Sequence, residues 1–504
     1  MAARNGGLTV VFAQALDLVL TPQVLLVMLA SGAFGLFVGA VPGLTATMAT
    51  ALLVPVTFFM EPVPAIAAIV TAAAMAIFAG DLPGALLRIP GTPASAAYVE
   101  DSWRMTRDGR GADALGALLV FSCIGGVFGT MALILASPAL AEVALKFSSF
   151  EYFWLVVLGL SCAVFIAPGS AVKGLISLII GLTAACVGMD NPAGQPRFSF
   201  GDVNLIGGIP FIPAMIGLFA AAEVLRAMVA RTSLGRAARP DLRGIFRLQA
   251  ANIRRYPKQM LRGSLMGTVI GALPGAGADI AAWISYAMSK RFSRTPERFG
   301  KGHVEGLVEA GSSNNAAMSG AWIPALVFGI PGDSITAIVI GVLYMKGMNP
   351  GPTVFLMQPQ LIYALFIVFL LANLLMLPLG WMAIRMGGRI LQVPQNLLMP
   401  VILLFCIVGS FAITNSVYGV LVMIVFGIIG FAMEETGIPI APAILGLVLG
   451  PMLEKNFVTS MIEANGDLLA FFERPIAAGL GVVAILFWTL PLIRAGWTRY
   501  RQTR

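Results

Sequence analysis

Hydrophobic residues in this chain gather in long continuous runs and do not alternate strictly with polar ones. Stretches with few or no charges cover residues 24–41, 112–136, 153–168, 205–225, 361–384, 398–414 and 479–493. A helix that crosses a bilayer needs about 20 mainly apolar residues. Unbroken apolar runs of that length predict helices, where alternation would predict strands. The pattern therefore predicts an all-α, polytopic integral membrane protein.

Composition agrees. Of 504 residues, 58% are hydrophobic and 11% are charged, with a mean hydropathy of +0.89. A soluble globular chain carries roughly 25% charged residues, so this surface is built for a lipid bilayer. The net charge of +8 is confined to a few loops. The densest, 226–262, holds Arg226, Arg231, Arg236, Arg239, Arg243, Arg247, Arg254, Arg255, Lys258 and Arg262 against one acid, Asp241. The positive-inside rule makes this loop cytoplasmic, as it does the tail with Arg494, Arg499, Arg501 and Arg504. A basic patch for anionic lipid is a second reading. Nucleic-acid binding is not expected, because no stacking aromatics interleave the run.

Cys123, Cys162, Cys186 and Cys406 lie in apolar stretches without CxxC spacing, which suits packing. His303 is the one histidine, and the chain has no Walker loop, HExxH or GxSxG motif. Neither ATP hydrolysis nor a Ser/His/Asp triad is expected, and the chain is not read as an enzyme. The N-terminus lacks a convincing small-residue cleavage site, so no removable signal peptide is expected.

The chain also resembles itself. Residues 35–43 read GLFVGAVPG and residues 267–275 read GTVIGALPG; RIPG at 88–91 returns as GIPG at 329–332. The matches lie 232 positions apart (Pro42 to Pro274) and 241 apart (Pro90 to Pro331). This predicts a first membrane repeat over 1–230, a basic cytoplasmic linker over 231–262 and a second membrane repeat over 263–504. Proline removes a backbone donor and glycine permits a sharp turn, so each Pro-Gly pair breaks a helix. Broken backbone at bilayer depth is tolerated where it is buried in protein or lines a wet cavity, and paired breaks point to a transporter's central site. Pro378, by contrast, reads as a simple kink.

Charges flanking the breaks suggest opposed orientations. Segment 263–289 follows the basic loop and ends in Lys290, Arg291, Arg294, Arg298 and Lys301, so both its ends favour the cytoplasm, as in a re-entrant hairpin. Its counterpart, 24–59, is followed by Glu61 with no nearby Lys or Arg, so both its ends face outward. The loop with Arg104, Arg107 and Arg110 reads as cytoplasmic. The expectation is two inverted-topology repeats with re-entrant or broken-helix hairpins.

Polar groups cluster at the breaks: Pro42, Gly43, Thr45 and Thr47; Asp81 with Gly91, Thr92 and Ser95; Gly275 through Asp279; and Ser312 through Asn315 with Gly332, Asp333, Ser334 and Thr336. A helix that begins after Pro-Gly offers unpaired N–H groups and a positive dipole end, and Thr, Ser and Asn add donors, which suits a carboxylate ligand. Alternatively, Thr45, Thr92 and Ser334 cap only their own helices. Asp81, Asp333 and Glu309 are candidates for coupling to a proton or sodium ion, since a carboxylate at depth must be paired, protonated or cation-bound. Asp333 also reads as an N-cap. Arg88 either pairs with Asp81 or meets an anionic substrate.

The strings GLFVGAVPGLTATMATALLVPVTF, LLRIPGTPASAA, GALPGAGADIAAWISY with SKRFSRTPERFGKGHVEG, and NNAAMSGAWIPALVFGIPGDSITAIVIGVL followed by NPGPTVF closely resemble the large permease subunit of bacterial tripartite tricarboxylate transporters. The likeness runs in order from about Gly35 to Phe355. It implies a multi-pass secondary transporter in the bacterial inner membrane, importing organic di- or tricarboxylates on a cation gradient. A small membrane subunit and a periplasmic solute-binding protein are the implied partners, and no resident cofactor beyond the co-transported H+ or Na+. The chain departs from the family pattern at Asp81 and Pro83, where small or hydroxyl residues are usual, at Arg88, where Asn is common, and at Gly311, where an acid is expected. The substrate therefore need not be citrate. The rival reading is a passive anion channel without gradient coupling.

Overall fold

Prolines and glycines punctuate many of the helices of this chain. The protein's structure, a computed structural model, describes residues 2–166, 170–229, 242–391 and 395–502. Arg231, Arg236, Arg239 and Asp241 of the basic linker, Arg504 of the tail and the end of the 153–168 run lie outside them. In chain order the first helices are α1 (Ala2–Val19), α2 (Pro22–Ala40), α3 (Ala46–Phe58), α4 (Pro62–Ala79), α5 (Asp81–Leu87), α6 (Val99–Met105), α7 (Gly111–Ala144), α8 (Ser149–Ile166) and α9 (Ala171–Ala185). Then come α10 (Val203–Ile206), α11 (Phe211–Ile216), α12 (Ala222–Val229), α13 (Ile245–Arg255), α14 (Pro257–Gly271), α15 (Gly277–Phe292), α16 (Val304–Phe328) and α17 (Ser334–Met345). The last are α18 (Val354–Met357), α19 (Pro359–Ile390), α20 (Gln395–Thr414), α21 (Val417–Glu435), α22 (Ala441–Glu463) and α23 (Pro475–Gln502). Among the described residues no strand forms, and eight helical spans are long and apolar enough to cross a membrane. The chain is an all-α, polytopic membrane protein.

Contacts divide the chain into two compact units, Met1–Ala141 with Ile212–Ala432, and Glu142–Phe211 with Met433–Arg504. In the second, α22 packs on α8 and α9. Arg197 grips Glu454 through both guanidinium branches at 2.9 and 2.7 Å. Arg474 meets Glu151 at 2.8 Å, beside a cluster of Phe150, Phe153, Trp154 and Phe471.

The first unit holds the matched breaks, and their surroundings correspond residue by residue. In α2, an added Cβ on Gly35 or Gly39 would lie 2.3 or 2.4 Å from the carbonyl oxygens of Ala72 and Ala76 in α4. Their sequence counterparts in α14, Gly267 and Gly271, would meet the carbonyls of Ser313 and Ala317 in α16 at 2.3 and 2.1 Å. Small residues let these backbones touch, the usual way helices associate where lipid offers no hydrophobic drive. The 241-position spacing aligns α4 and α5 together with α16, and the stretch from Ser95 through α6 with α17. The extra nine residues of the second set fall between α15 and α16, and Asp101 of α6 holds that connection. Its carboxylate, fully buried, accepts from Tyr286 Oη (2.6 Å) and from the backbone N–H groups of Gly300, Gly302 and His303 (3.0, 2.7 and 3.0 Å).

Contacts between the sets are reciprocal. Helix α3 packs on α17, while α15 packs on the 3-10 turn Ser95–Ala97. Asn315 Nδ2 donates to the carbonyl of Ala74, its own counterpart, at 3.1 Å. Reciprocal contact of this kind is what a two-fold relation produces. The basic linker also carries structure: Asn252 in α13 donates to Asp113 Oδ1 at 2.8 Å, and Gln249 to the Asp113 carbonyl at 3.2 Å, docking α13 on the start of α7.

Gly271→Ala should therefore destabilise the protein by roughly 1–3 kcal/mol through overpacking, read as a lower thermal unfolding midpoint in detergent. Gly479→Ala, with nothing within 4 Å of the new methyl, is the control and should hold its midpoint. Equal midpoints would show that the close α14–α16 approach is not what holds that helix pair.

Candidate functional site

The first and third breaks are the same turn built twice. Gly43 and Gly275 both take positive φ (91° and 83°), the left-handed backbone that glycine adopts without strain. Leu44 N donates to the Val41 carbonyl and Ala276 N to that of Leu273, each at 3.1 Å. The second and fourth breaks repeat one another as closely. Arg88 and Gly329 end their helices in the left-handed region (φ 62° and 69°), and the next residues, Ile89 and Ile330, donate back to the carbonyls of Pro83 and Pro324. These are Schellman-type stops. A capping box follows each. Thr92 and Ser95 exchange backbone-to-hydroxyl bonds at 3.1 and 3.2 Å. Asp333 N donates to Thr336 Oγ1 at 2.9 Å, and Thr336 N to Asp333 Oδ1 at 2.8 Å.

Most of the expected ligand side chains are thus engaged with their own backbone. Thr45 accepts from Met48 N at 3.2 Å as the N-cap of α3. Thr92, Ser95, Asp333 and Thr336 are engaged in the two boxes, Thr92 as an acceptor only. Thr47 and Ser334 differ: both are half-buried, and among the described residues neither hydroxyl bonds to protein.

Three of the four breaks meet. Gly275 N donates to the Gly332 carbonyl at 2.8 Å, and a Cβ on Gly277 would touch that of Asp333 at 3.0 Å. Across the repeat, Ala94 N donates to Asp279 Oδ1 (3.1 Å) and Trp283 Nε1 to the Pro93 carbonyl (3.0 Å). The first break, with Pro42 and Gly43, lies instead against Glu223 of α12. It is tied to the fourth through its helix: Lys346, just past α17, donates to the carbonyls of Phe58 and Met60 at the end of α3 (2.9 and 2.5 Å). Since α3 and α17 pack together with their C-termini joined, their N-termini, with Thr47 and Ser334, lie at the same end.

The remaining candidates are deeper. Asn314 and Asn315 are fully buried in α16, each with an unpartnered Oδ1. Asp81 is also fully buried; Tyr98 Oη donates to its Oδ1 at 2.7 Å, and Asn314 Nδ2 reaches Tyr98 Oη at 3.4 Å. Glu309 is bound by both branches of Arg262. Arg88 does not pair with Asp81: its left-handed cap turns it outward to Glu100 (2.9 Å) and over the Trp103 ring. A cavity of about 370 Å³ sits elsewhere, lined by apolar residues of α2, α3, α4 and α20 such as Phe34, Leu53 and Phe405, and takes in none of the polar candidates. Sequence reasoning missed Asp279 as a site residue, and it missed Tyr98 and Trp283 entirely. Asp279 sits two residues past Gly277 in a motif already singled out, which was the available signal.

Compared with known proteins, residues 25–445 match the family described as "Tripartite tricarboxylate transporter TctA family". An uncharacterized 52.8 kDa protein of Agrobacterium vitis, from the TAR-I ttuC' 3' region, is 35% identical over 92% of this chain and 92% of its own length. Another uncharacterized protein of that organism, from the TAR-II ttuC' 3' region, is 37% identical over 45% of this chain and 96% of its own. No solved structure matches.

The paired boxes set a stability expectation. Thr92→Ala and Asp333→Ala should each cost about 1 kcal/mol, the ordinary worth of an N-cap, seen as similar drops in thermal midpoint. An unchanged midpoint in both would mean that the boxes do not secure their helices.

Proposed function

The chain belongs to the tripartite tricarboxylate transporter TctA family, and we propose that it is the large transmembrane subunit of a binding-protein-dependent secondary transporter. It imports organic di- or tricarboxylates across the bacterial inner membrane on a proton or sodium gradient. A small membrane subunit and a periplasmic binding protein are its partners. The observation that carries this reading is the pairing of α3 with α17, one helix from each repeat, their N-termini at one end and the Thr47 and Ser334 hydroxyls without protein partners.

The chemistry follows from desolvation. A carboxylate leaving water must regain its hydrogen bonds, and helix N-termini supply N–H donors and a favourable dipole. The Ser95 and Thr336 hydroxyls both donate and accept within their caps, whereas Thr45 and Thr92 only accept, so the side-chain donors left to a ligand are the hydroxyls of Thr47, Ser334, Thr45 and Thr92. The sets 1–230 and 263–504 act as inverted repeats about this site, which is why one carries acidic and the other basic flanks. Reciprocal packing of α3 on α17 and of α15 on the Ser95 turn is the kind of exchange through which two such sets can trade inward and outward exposure.

Uptake of labelled di- and tricarboxylates by vesicles bearing the assembled transporter is the direct test. Saturable uptake that collapses when the proton and sodium gradients are dissipated is expected; flux that is linear in substrate and indifferent to gradients would assign a channel. Thr47→Ala and Ser334→Ala should each lower uptake about tenfold to a hundredfold at unchanged membrane abundance, since a donor to a charged group contributes roughly 1.5–3 kcal/mol. Orientation is checked separately. A cysteine within 231–255 should be labelled only from the cytoplasm and one beside Glu61 only from the periplasm, and labelling of both from one side would contradict the inversion.

A further inference from the structure

We infer that Asp81, Tyr98 and Asn314 form a proton-binding site in the interior of the first unit, with Asp81 taking the proton. The inference rests on the gradient-coupled reading above and specifies its ion. It begins with an imbalance of donors and acceptors. Asp81 opens α5 at 1% exposure; its Oδ1 accepts from Tyr98 Oη at 2.7 Å, and its Oδ2 has no partner. Tyr98, 1% exposed, is approached from its other side by Asn314 Nδ2 at 3.4 Å, and the Oδ1 of that same Asn314 has no partner either. Two acceptors with nothing to accept thus flank one hydroxyl.

A carboxylate so deep, holding one neutral hydrogen bond, is far short of the compensation that a buried charge requires. Among the described residues no cation pairs with Asp81. Helices α2 and α4, which pack against α5, carry no charged side chain. On α6, Glu100 is engaged by Arg88 and Arg104, and Asp101 by Tyr286 and the 300–303 backbone. On α16, Glu309 holds Arg262 and Glu305 holds Gln259 and Ser293. Asp279 of α15 accepts from Ala94 N. Each of these charges already has its partner.

One proton corrects the imbalance. Placed on Asp81 Oδ2, it removes the charge from an oxygen that has no partner, and Asn314 Oδ1 adds a second unused acceptor to the site. Oδ1 remains the C=O that accepts from Tyr98. A hard cation such as sodium gathers several oxygens at once, whereas one proton needs only the unpartnered Asp81 Oδ2. The second set has no equivalent acid, since the counterpart of Asp81 is Trp322.

Infrared titration of the purified full-length protein reads this site without transport. A protonated-carboxyl band should be present near neutral pH, fade as pH rises, and be missing from Asp81→Asn. Tyr98→Phe should move the band to higher wavenumber, because its C=O has lost a hydrogen bond; this variant keeps the test open should Asp81→Asn fail to fold. Replacing sodium by potassium at fixed pH should leave the band alone. A band that survives Asp81→Asn, a band unmoved by Tyr98→Phe, or one that sodium abolishes at fixed pH would each overturn the assignment, the last in favour of sodium. Failure of the assembled transporter to take up any organic acid would count against the transport reading alone and leave the infrared result standing.

Discussion

Within a bilayer no backbone N–H or C=O can be left to water, because there is none, and every break in a spanning helix must therefore close its own hydrogen bonds. The first unit satisfies this at four Pro-Gly positions with two devices, each used twice. One is a tight turn on a left-handed glycine; the other is a left-handed stop followed by a capping box. Those bonds are local, and a few longer ones, such as Gly275 N to the Gly332 carbonyl and Ala94 N to Asp279, then tie break to break. The positions are then fixed by the touching backbones of α2 with α4 and α14 with α16, which tolerate no side chain at Gly35, Gly39, Gly267 or Gly271.

That economy explains why hydroxyls that look like ligand donors in the sequence are mostly structural. A Thr or Ser three residues from another polar residue after Pro-Gly is a capping box before it is anything else. What a ligand can use is the remainder: hydroxyls in the first turn, such as Thr47 and Ser334, and N–H groups that the boxes leave open. The longer connection between α15 and α16 follows the same logic. It lacks secondary structure over most of its length, so its N–H groups need an acceptor, and Asp101 provides one from the opposite repeat.

The fold class, the breaks and their pairing were legible because they are written in period, proline and glycine. Arg88 was not, since a left-handed cap usually announces itself as glycine, as Gly329 does, and here an arginine occupies it and turns away from Asp81. The partners of Asp81 were hidden for a different reason: Tyr98 and Asn314 are 17 and 233 positions away, and only the crossing of α6 with α16 joins them. Glu309 illustrates the reverse. Its depth was foreseeable from its apolar context, while Arg262 reaching it from α14 depended on helix packing that no spacing encodes.

The two repeats keep a common backbone and distribute charge differently over it. Aligned at their own spacings, Asp81 stands opposite Trp322, Thr92 opposite Asp333, and Thr47 opposite Asp279. Each carboxylate of the site region faces a neutral counterpart, so a strict two-fold is broken at every ionisable position and at none of the breaks. Backbone equivalence means that the same kinds of turn and the same glycine contacts recur in both sets. Side-chain inequivalence then gives the two sets different electrostatic surroundings on a common backbone, so a charged ligand would meet different partners in each.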